Sequence, residues 1–239
     1  MKAKNCLIFG GTGQIGTNLI RKLAKNNYKI TIVSRNLHQK GNFIKTQANA
    51  GYIKIIETNP FDKSAIAPLF KNIDICINLV GILFEKGKNN FRNIHINFPD
   101  LLSSLCKENN VKQFIHVSAL GLEEALDSEY AKSKIDGEKK IKEVFTNATI
   151  LKPSVVYSID DNFTTTFMSL LTKLPIFPLY YNGNTKFMPI HCSDLIDIIY
   201  QVVQKNIKSN ILECVGPELI SFKEILKRLS KLIDRRIIF

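Results

Sequence analysis

Apolar residues along this chain come in short, nearly continuous runs at residues 6–9, 30–33, 52–56, 73–80, 113–117 and 148–151. Between them the apolar positions fall at helical spacing, at 14–26, 63–71, 91–109 and 129–145, with a weaker helical segment at 37–49. Strands apolar on both faces, alternating with helices, predict an α/β fold with a doubly wound parallel sheet covered on both sides. Past Leu151 the pattern changes. Pro153, Pro175, Pro178, Pro189 and Pro217 cut the chain into shorter pieces around helices at 163–173, 195–204 and 222–232. The expectation is a main domain over 1–151 and a small C-terminal cap over 152–239, partly joined to the main sheet by a strand at 211–215. Only Met1 to Asn5 precede the first run, too few for a signal or transit peptide. The apolar ending at 235–239 reads as the start of a strand, and hence as a truncation.

Composition narrows the function classes. The 33 Lys and Arg against 21 Asp and Glu give a formal charge of +12 and a pI near 9.4. Such a balance suits phosphorylated ligands, anionic membrane or nucleic acid. The lysines are spread among many Asn and Ile, without a dense basic block or interleaved aromatics, which argues against nucleic acid. Five cysteines, at 6, 76, 106, 192 and 214, lack the C-x-x-C spacing of a metal site. Three of them, Cys6, Cys76 and Cys214, sit in apolar strand-like runs as small hydrophobes, which fits a reducing compartment and no disulfide framework. No run reaches the ~20 apolar residues of a membrane span, so any membrane contact is peripheral.

The chemistry begins at residues 10–16, Gly-Gly-Thr-Gly-Gln-Ile-Gly, between the first strand and the first helix. Gly10, Gly13 and Gly16 permit a tight turn and let backbone N–H groups approach a pyrophosphate, with Thr12, Gln14 and Ile15 completing the turn and opening the helix. The helix N-terminus adds partial positive charge. This is a dinucleotide site, and 1–151 is then an NAD(P)-binding Rossmann-type domain. The second strand ends at Ser34 and Arg35, where NAD sites usually carry a carboxylate against the ribose hydroxyls. A guanidinium instead attracts a 2′-phosphate, which favours NADP(H) over NAD(H).

Asn78, Val80 and Gly81 close the fourth strand, where the chain passes beneath the ribose and nicotinamide. Ser118 ends the fifth, and Tyr130 and Lys134, four apart, project from one face of the next helix. These three are candidate catalytic residues. A lysine ammonium and an oxidised nicotinamide would pull the phenol of Tyr130 down from about 10, and Ser118 would polarise a substrate oxygen. An ordinary surface Y-x-x-x-K pair is the plainer alternative. His191 and Asp194 lie in the cap, where helix capping and a buried histidine explain them as well as substrate contact does. Asp160 and Asp161 have no further ligands at useful spacing and read as a solvated loop, so no metal site is expected.

These motifs together resemble the short-chain dehydrogenase/reductase superfamily, in its extended or atypical branch. The residues that carry the resemblance are 10–16, Asn78 to Gly81, His116-Val117-Ser118 and Tyr130-Ala131-Lys132-Ser133-Lys134. More narrowly, residues 78–85, 116–121, 152–157 and 185–190, followed by Ser193-Asp194, resemble the accessory subunits of respiratory complex I that carry this fold. The resemblance implies a bound NADPH, with the pyrophosphate on Gly10, Gly13 and Gly16, a 2′-phosphate on Arg35 and the ribose on Tyr130 and Lys134, Pro153 joining the cofactor site. It also implies complex I subunits as partners and NADPH as a structural ligand. The location that follows is cytoplasmic, peripheral on the inner face of a bacterial inner membrane, or the matrix side of a mitochondrion.

Whether the protein turns over a substrate is left open. The alternative is an active NADP-dependent reductase, epimerase or dehydratase on a small, quinone-like or sugar-nucleotide substrate. The apolar, aromatic run Phe177-Pro178-Leu179-Tyr180-Tyr181 favours a lipid, a quinone or a protein surface over a sugar nucleotide. Two departures from the family pattern weaken a proton relay and an adenine contact. His95 stands where many reductases carry asparagine, and Thr58-Asn59-Pro60 replaces Gly-Asp, with Asp62 reading as a helix cap.

Overall fold

The computed structural model describes residues 3–35, 41–159 and 161–239. The strands are β1 (Asn5–Phe9), β2 (Lys29–Ser34), β3 (Ile53–Glu57), β4 (Ile75–Asn78), β5 (Gln113–Val117), β6 (Thr149–Pro153), β7 (Val156–Tyr157), β8 (Lys186–Phe187), β9 (Ile190–His191), β10 (Ile211–Cys214) and β11 (Ile220–Ser221). The helices are α1 (Gln14–Lys25), α2 (Gly41–Lys45), α3 (Lys63–Ile66), α4 (Phe98–Glu108), α5 (Glu129–Val144), α6 (Thr164–Lys173), α7 (Cys192–Gln204) and α8 (Phe222–Leu232). Of the weak helical segment at 37–49, α2 is the helix present, and residues 37–40 lie outside the described residues.

Seven strands form one sheet in the order β10-β6-β5-β4-β1-β2-β3. The pairs from β3 to β6 are parallel. Along β10 the partners rise together, Ile150 N–H to Asn210 O and Ser154 N–H to Cys214 O, so it too is parallel to β6. β1 lies between β2 and β4, so the chain reverses its direction of travel across the sheet there. The C-terminal edge at such a reversal is where this architecture opens a ligand crevice.

Alternation along β1 sorts the layers. Leu7 and Phe9 pack with Phe70, Phe98, Leu102 and Ile141, which puts α4 and α5 on that face. Ile32 approaches Ile20 of α1 around Gly11 on the opposite face. There α1 meets α7 through Lys22–Asp197 at 2.7 Å and Tyr200 Oη donating to Asn26 Oδ1 at 2.9 Å.

The chain divides into two compact units, residues 1–152 with 196–213, and residues 153–195 with 214–239. The second has its own core of Leu171, Leu226 and Leu229 with Phe163, Phe167 and Phe222. The segment expected to begin a strand at 235–239 forms a single parallel bridge there, Ile238 with Ile176.

Two helices differ from their sequence reading. The stretch 63–71 is α3 followed by a 3₁₀ turn, Ala67–Phe70, which Pro68 starts because it lacks an N–H. The stretch 91–109 is two helices in series, a π-helix over Arg92–Asn97 and then α4. Pro99 explains the switch. A regular helix would need its N–H for the carbonyl of His95, and its ring would collide with that carbonyl. Widening the turn relieves both, and π-turns concentrate at functional sites.

Candidate functional site

The loop after β1 is shaped by three glycines in three different ways. Gly10 has φ +81, and a Cβ there would meet the backbone carbon of Leu79 at 2.9 Å. At Gly16 a Cβ would strike Gly10 O and stand 2.6 Å from Gly11 Cα, so this glycine lets α1 seat against the loop. Gly13 is different: its φ is −81, open to any residue, and a Cβ there would find Gly10 O at an ordinary 3.5 Å. Neither the turn nor the packing requires glycine at 13. A side chain would instead enter the space before the N-terminus of α1, whose first turn has no acidic residue and whose cap is the backbone of Gly13 itself. That is the form of a cradle for a phosphate group.

At the next edge, Asn78 is fully buried. Its Oδ1 accepts the Val80 N–H at 3.0 Å, so its amide nitrogen faces His116 Nδ1, also at 3.0 Å. The neutral His116 then carries its proton on Nε2, a buried atom without a partner among the described residues. Burial first, then the Lys134 ammonium, hold His116 well below its ordinary value.

Gly81, His95 and Lys134 come together here. A Cβ on Gly81 would lie 3.3 Å from Lys134 Nζ and 3.9 Å from His95 Nε2. Lys134 is buried, its Nζ 3.5 Å from Val117 O. Burial pulls its ammonium down to about 8, against an upward pull from Glu138. His95 is fully engaged: Nε2 accepts the Ile82 N–H at 3.2 Å, and Nδ1 meets Ser133 Oγ at 2.9 Å. The Ser133 hydroxyl donates to Tyr130 O, so the Nδ1 proton belongs to His95 and the ring is neutral. Burial and then Lys134 hold it at about 3. This histidine is a fixed strut between the β4 loop and α5, with no proton free to relay.

Tyr130 packs edge-on against His95 and Phe91, with centroids 5.4 and 5.8 Å away. Burial raises its phenol above the ordinary value, where the sequence reading expects a depressed one. The difference is physical: in the protein alone desolvation governs the ring, and the expected depression also invoked an oxidised nicotinamide.

Ser118 is bonded to another side chain of the protein. Its hydroxyl donates to Glu138 Oε1 at 2.5 Å, so its proton is committed within the protein. Glu138 Oε2 lies 3.1 Å from Lys152 Nζ, and Lys152 also binds the exposed Glu123 at 2.5 Å. Burial alone would lower Lys152, yet its two carboxylates outweigh it and raise it. The sequence reading assigns no role to Glu138 or Gly137 and takes Lys152 only as part of the 152–157 resemblance. At Gly137 a Cβ would land on His95 O, so α5 presses directly on the π-helix. A glycine inside a helix, costing about 1 kcal/mol against alanine, was the available signal.

Among the remaining candidates, Ser34 is buried at the end of β2, and exposed Arg35 donates from Nη1 to Asn89 Oδ1 at 2.9 Å and lies over the Phe61 ring at 5.7 Å. Thr12, Gln14 and Ile15 form the loop and first turn of α1. Pro153 closes β6 and groups with the second unit. His191 Nδ1 meets Ser193 Oγ at 2.7 Å, and that hydroxyl reaches Asp194 Oδ1 at 3.2 Å, a local arrangement at the start of α7. Asp62 caps α3 through the Ser64 N–H at 2.9 Å. Asp161, expected in a solvated loop, is 1% exposed and accepts from Ser158 N–H and Thr164 N–H, organising the approach to α6; its neighbour Asp160 lies outside the described residues.

The profile of the NAD dependent epimerase/dehydratase family matches residues 6–213. The chain is 27% identical to NADH dehydrogenase (ubiquinone) 1 alpha subcomplex subunit 9, mitochondrial, of Dictyostelium discoideum, over 92% of this chain and 61% of that protein. It is 25% identical to the mitochondrial NADH-ubiquinone oxidoreductase 40 kDa subunit of Neurospora crassa, over 96% of this chain and 59% of the relative. The chain thus spans about three fifths of the length of these curated relatives. Among solved structures, a dTDP-glucose 4,6-dehydratase from Streptomyces venezuelae with NAD and TYD bound shares the fold, with a TM-score of 0.82 at 16% identity, covering 97% of this chain and 81% of that one.

Proposed function

The chain belongs to the NAD dependent epimerase/dehydratase family, and from that premise we propose that it holds NADP(H) as a structural ligand in an accessory or assembly subunit of NADH:ubiquinone oxidoreductase. Gly10, Gly13 and Gly16 with the start of α1 would hold the pyrophosphate, Arg35 the 2′-phosphate, and Tyr130 and Lys134 the nicotinamide ribose. A Cβ at Gly13 would meet only Gly10 O, at an ordinary 3.5 Å, which is compatible with such a group. A nicotinamide, when bound, would supply a hydride donor in its reduced form and a hydride acceptor in its oxidised form.

The observation that carries the structural role is the Ser118 hydroxyl, whose proton goes to Glu138 at 2.5 Å rather than toward a substrate oxygen. His95, neutral and bonded at both nitrogens, supports the same reading. What remains in the site binds and orients: a buried lysine, a packed tyrosine and a phosphate cradle. Among the described residues no helix is long and apolar enough to cross a membrane. The relatives named as mitochondrial subunits and the net charge of +12 support a peripheral station on an anionic membrane, on the matrix side in a mitochondrion. The Tyr130–Lys134 pair favours a second reading, an NADP-dependent reductase.

Affinity purification from the native membrane, with identification of both co-purifying proteins and extracted nucleotide, tests the proposal. Complex I subunits with stoichiometric NADPH are expected. Purification free of those subunits, with NADPH consumed on an added carbonyl or quinone substrate, would establish the reductase.

A further inference from the structure

We propose that the loop between β4 and the π-helix supplies the second half of a 2′-phosphate site, with Lys88 as a specificity-determining cation beside Arg35 and Asn89 as the residue that positions Arg35. This rests on the dinucleotide reading above and adds to it a loop that the strand-end pattern does not indicate.

A cavity of about 470 Å³ opens beside Arg35, within the range of small-molecule sites. Arg35 and Asn59 come from the ends of β2 and β3, and Lys88 and Asn89 from the loop after β4. Its floor is apolar, with Phe61, Phe98 and Leu101, as a purine would need. Among its described lining residues two are cationic and none is acidic. A pocket built for an unmodified ribose would offer a carboxylate to the two hydroxyls; this one offers charge for a dianion.

Lys88 is carried on a structured turn. Lys86 and Asn89 exchange both backbone hydrogen bonds, at 2.9 and 3.1 Å, around Gly87 at φ +58. Asn93 of the π-helix donates to Lys88 O at 3.1 Å, and the Phe91 N–H donates to Glu85 Oε1 at 2.7 Å, which fastens the loop at its exit. From the same turn Asn89 Oδ1 takes one Nη1 proton of Arg35. That bond, with Phe61 beneath the guanidinium, fixes the plane of the fork and leaves its other N–H groups to meet phosphate oxygens.

The test is calorimetric titration of the nucleotide-free full chain with 2′,5′-ADP and with ADP, which differ by the 2′-phosphate. NADPH and NADH are run in parallel. Wild type should prefer 2′,5′-ADP. Lys88→Gln should weaken it about tenfold or more while ADP stays within about twofold, because a charge-assisted contact to the phosphate is lost. Asn89→Ala should lower the same preference, and Asn89→Gln, which keeps a neutral amide acceptor, should restore part of it. Equal losses for both nucleotides in Lys88→Gln, or no loss in either, would overturn the loop assignment. So would a wild type that prefers ADP while still binding both. Failure of wild type to bind NADH and NADPH alike would instead remove the dinucleotide reading, and this inference with it.

Discussion

Gly13 and Gly16 belong to one motif, yet the structure gives them opposite reasons for lacking a side chain. Gly16 is packed against Gly10 and Gly11, so Gly16→Val should overpack the loop and destabilise the free protein by about 2–3 kcal/mol. Gly13→Val meets only an ordinary contact and should unfold in urea within about 1 kcal/mol of wild type, yet bind no dinucleotide. Nucleotide retention in Gly13→Val would remove the pyrophosphate assignment. Arg35→Asp should abolish or reverse the proposed preference for NADP(H), read as the ratio of the NADPH and NADH dissociation constants. The tight turn at Gly10 and the close packing at Gly16 were legible because glycine has few other uses at those positions. The roles of His95 and Ser118 were not, because they depend on Ser133 and Glu138, partners 38 and 20 residues away. His95 also predicts a pH response. Its folded value of about 3 lies below its ordinary 6.5. Between those values the unfolded chain binds the extra proton, so stability should fall as pH drops through that window. Urea midpoints measured across it should lose less in His95→Asn than in wild type.

At the scale of elements, the run-and-helix pattern locates the strands of the main sheet to within a few residues, because strands buried on both faces leave continuous apolar runs. It does not register the break in the helix at 91–109, since a π-turn keeps apolar residues on the same side and changes the backbone instead. Pro99 was the legible trace of it, and Gly137 its counterpart on α5. The His95 carbonyl that Pro99 displaces is the atom a Cβ at 137 would strike. Gly137→Ala should therefore separate α5 from the π-helix and cost about 2–3 kcal/mol or more, although alanine is the better helix former. A urea titration checks the sign: stabilisation by Gly137→Ala, as helix propensity alone would give, contradicts the packing described here. The same movement should loosen Tyr130 and Lys134 and weaken nucleotide binding.

For the whole molecule, a structural ligand and a cosubstrate make different demands on Tyr130 and Lys134. A ligand that binds only the folded chain adds about 2.7 kcal/mol at a hundred times its dissociation constant, or roughly 5–10 °C in melting temperature for a chain of this size. In the proposed site Lys134 would contribute a charge-assisted contact to ribose hydroxyls, and its ammonium, at about 8, still carries its proton at neutral pH. Tyr130 contributes a packed ring that phenylalanine preserves, and its raised phenol is a poor proton acceptor in the protein alone. Lys134→Ala should thus lose most of the NADPH-dependent rise in melting temperature, and Lys134→Met, which keeps the bulk beside Gly81, should lose it as well. Tyr130→Phe should keep most of it. Introduced into cells in place of wild type, Lys134→Ala should then associate with the respiratory complex more weakly than Tyr130→Phe, as read by native gels and by respiratory activity. Assembly intact in both variants, together with an NADPH-dependent turnover that Tyr130→Phe abolishes, would make the phenol a proton donor and the chain an enzyme.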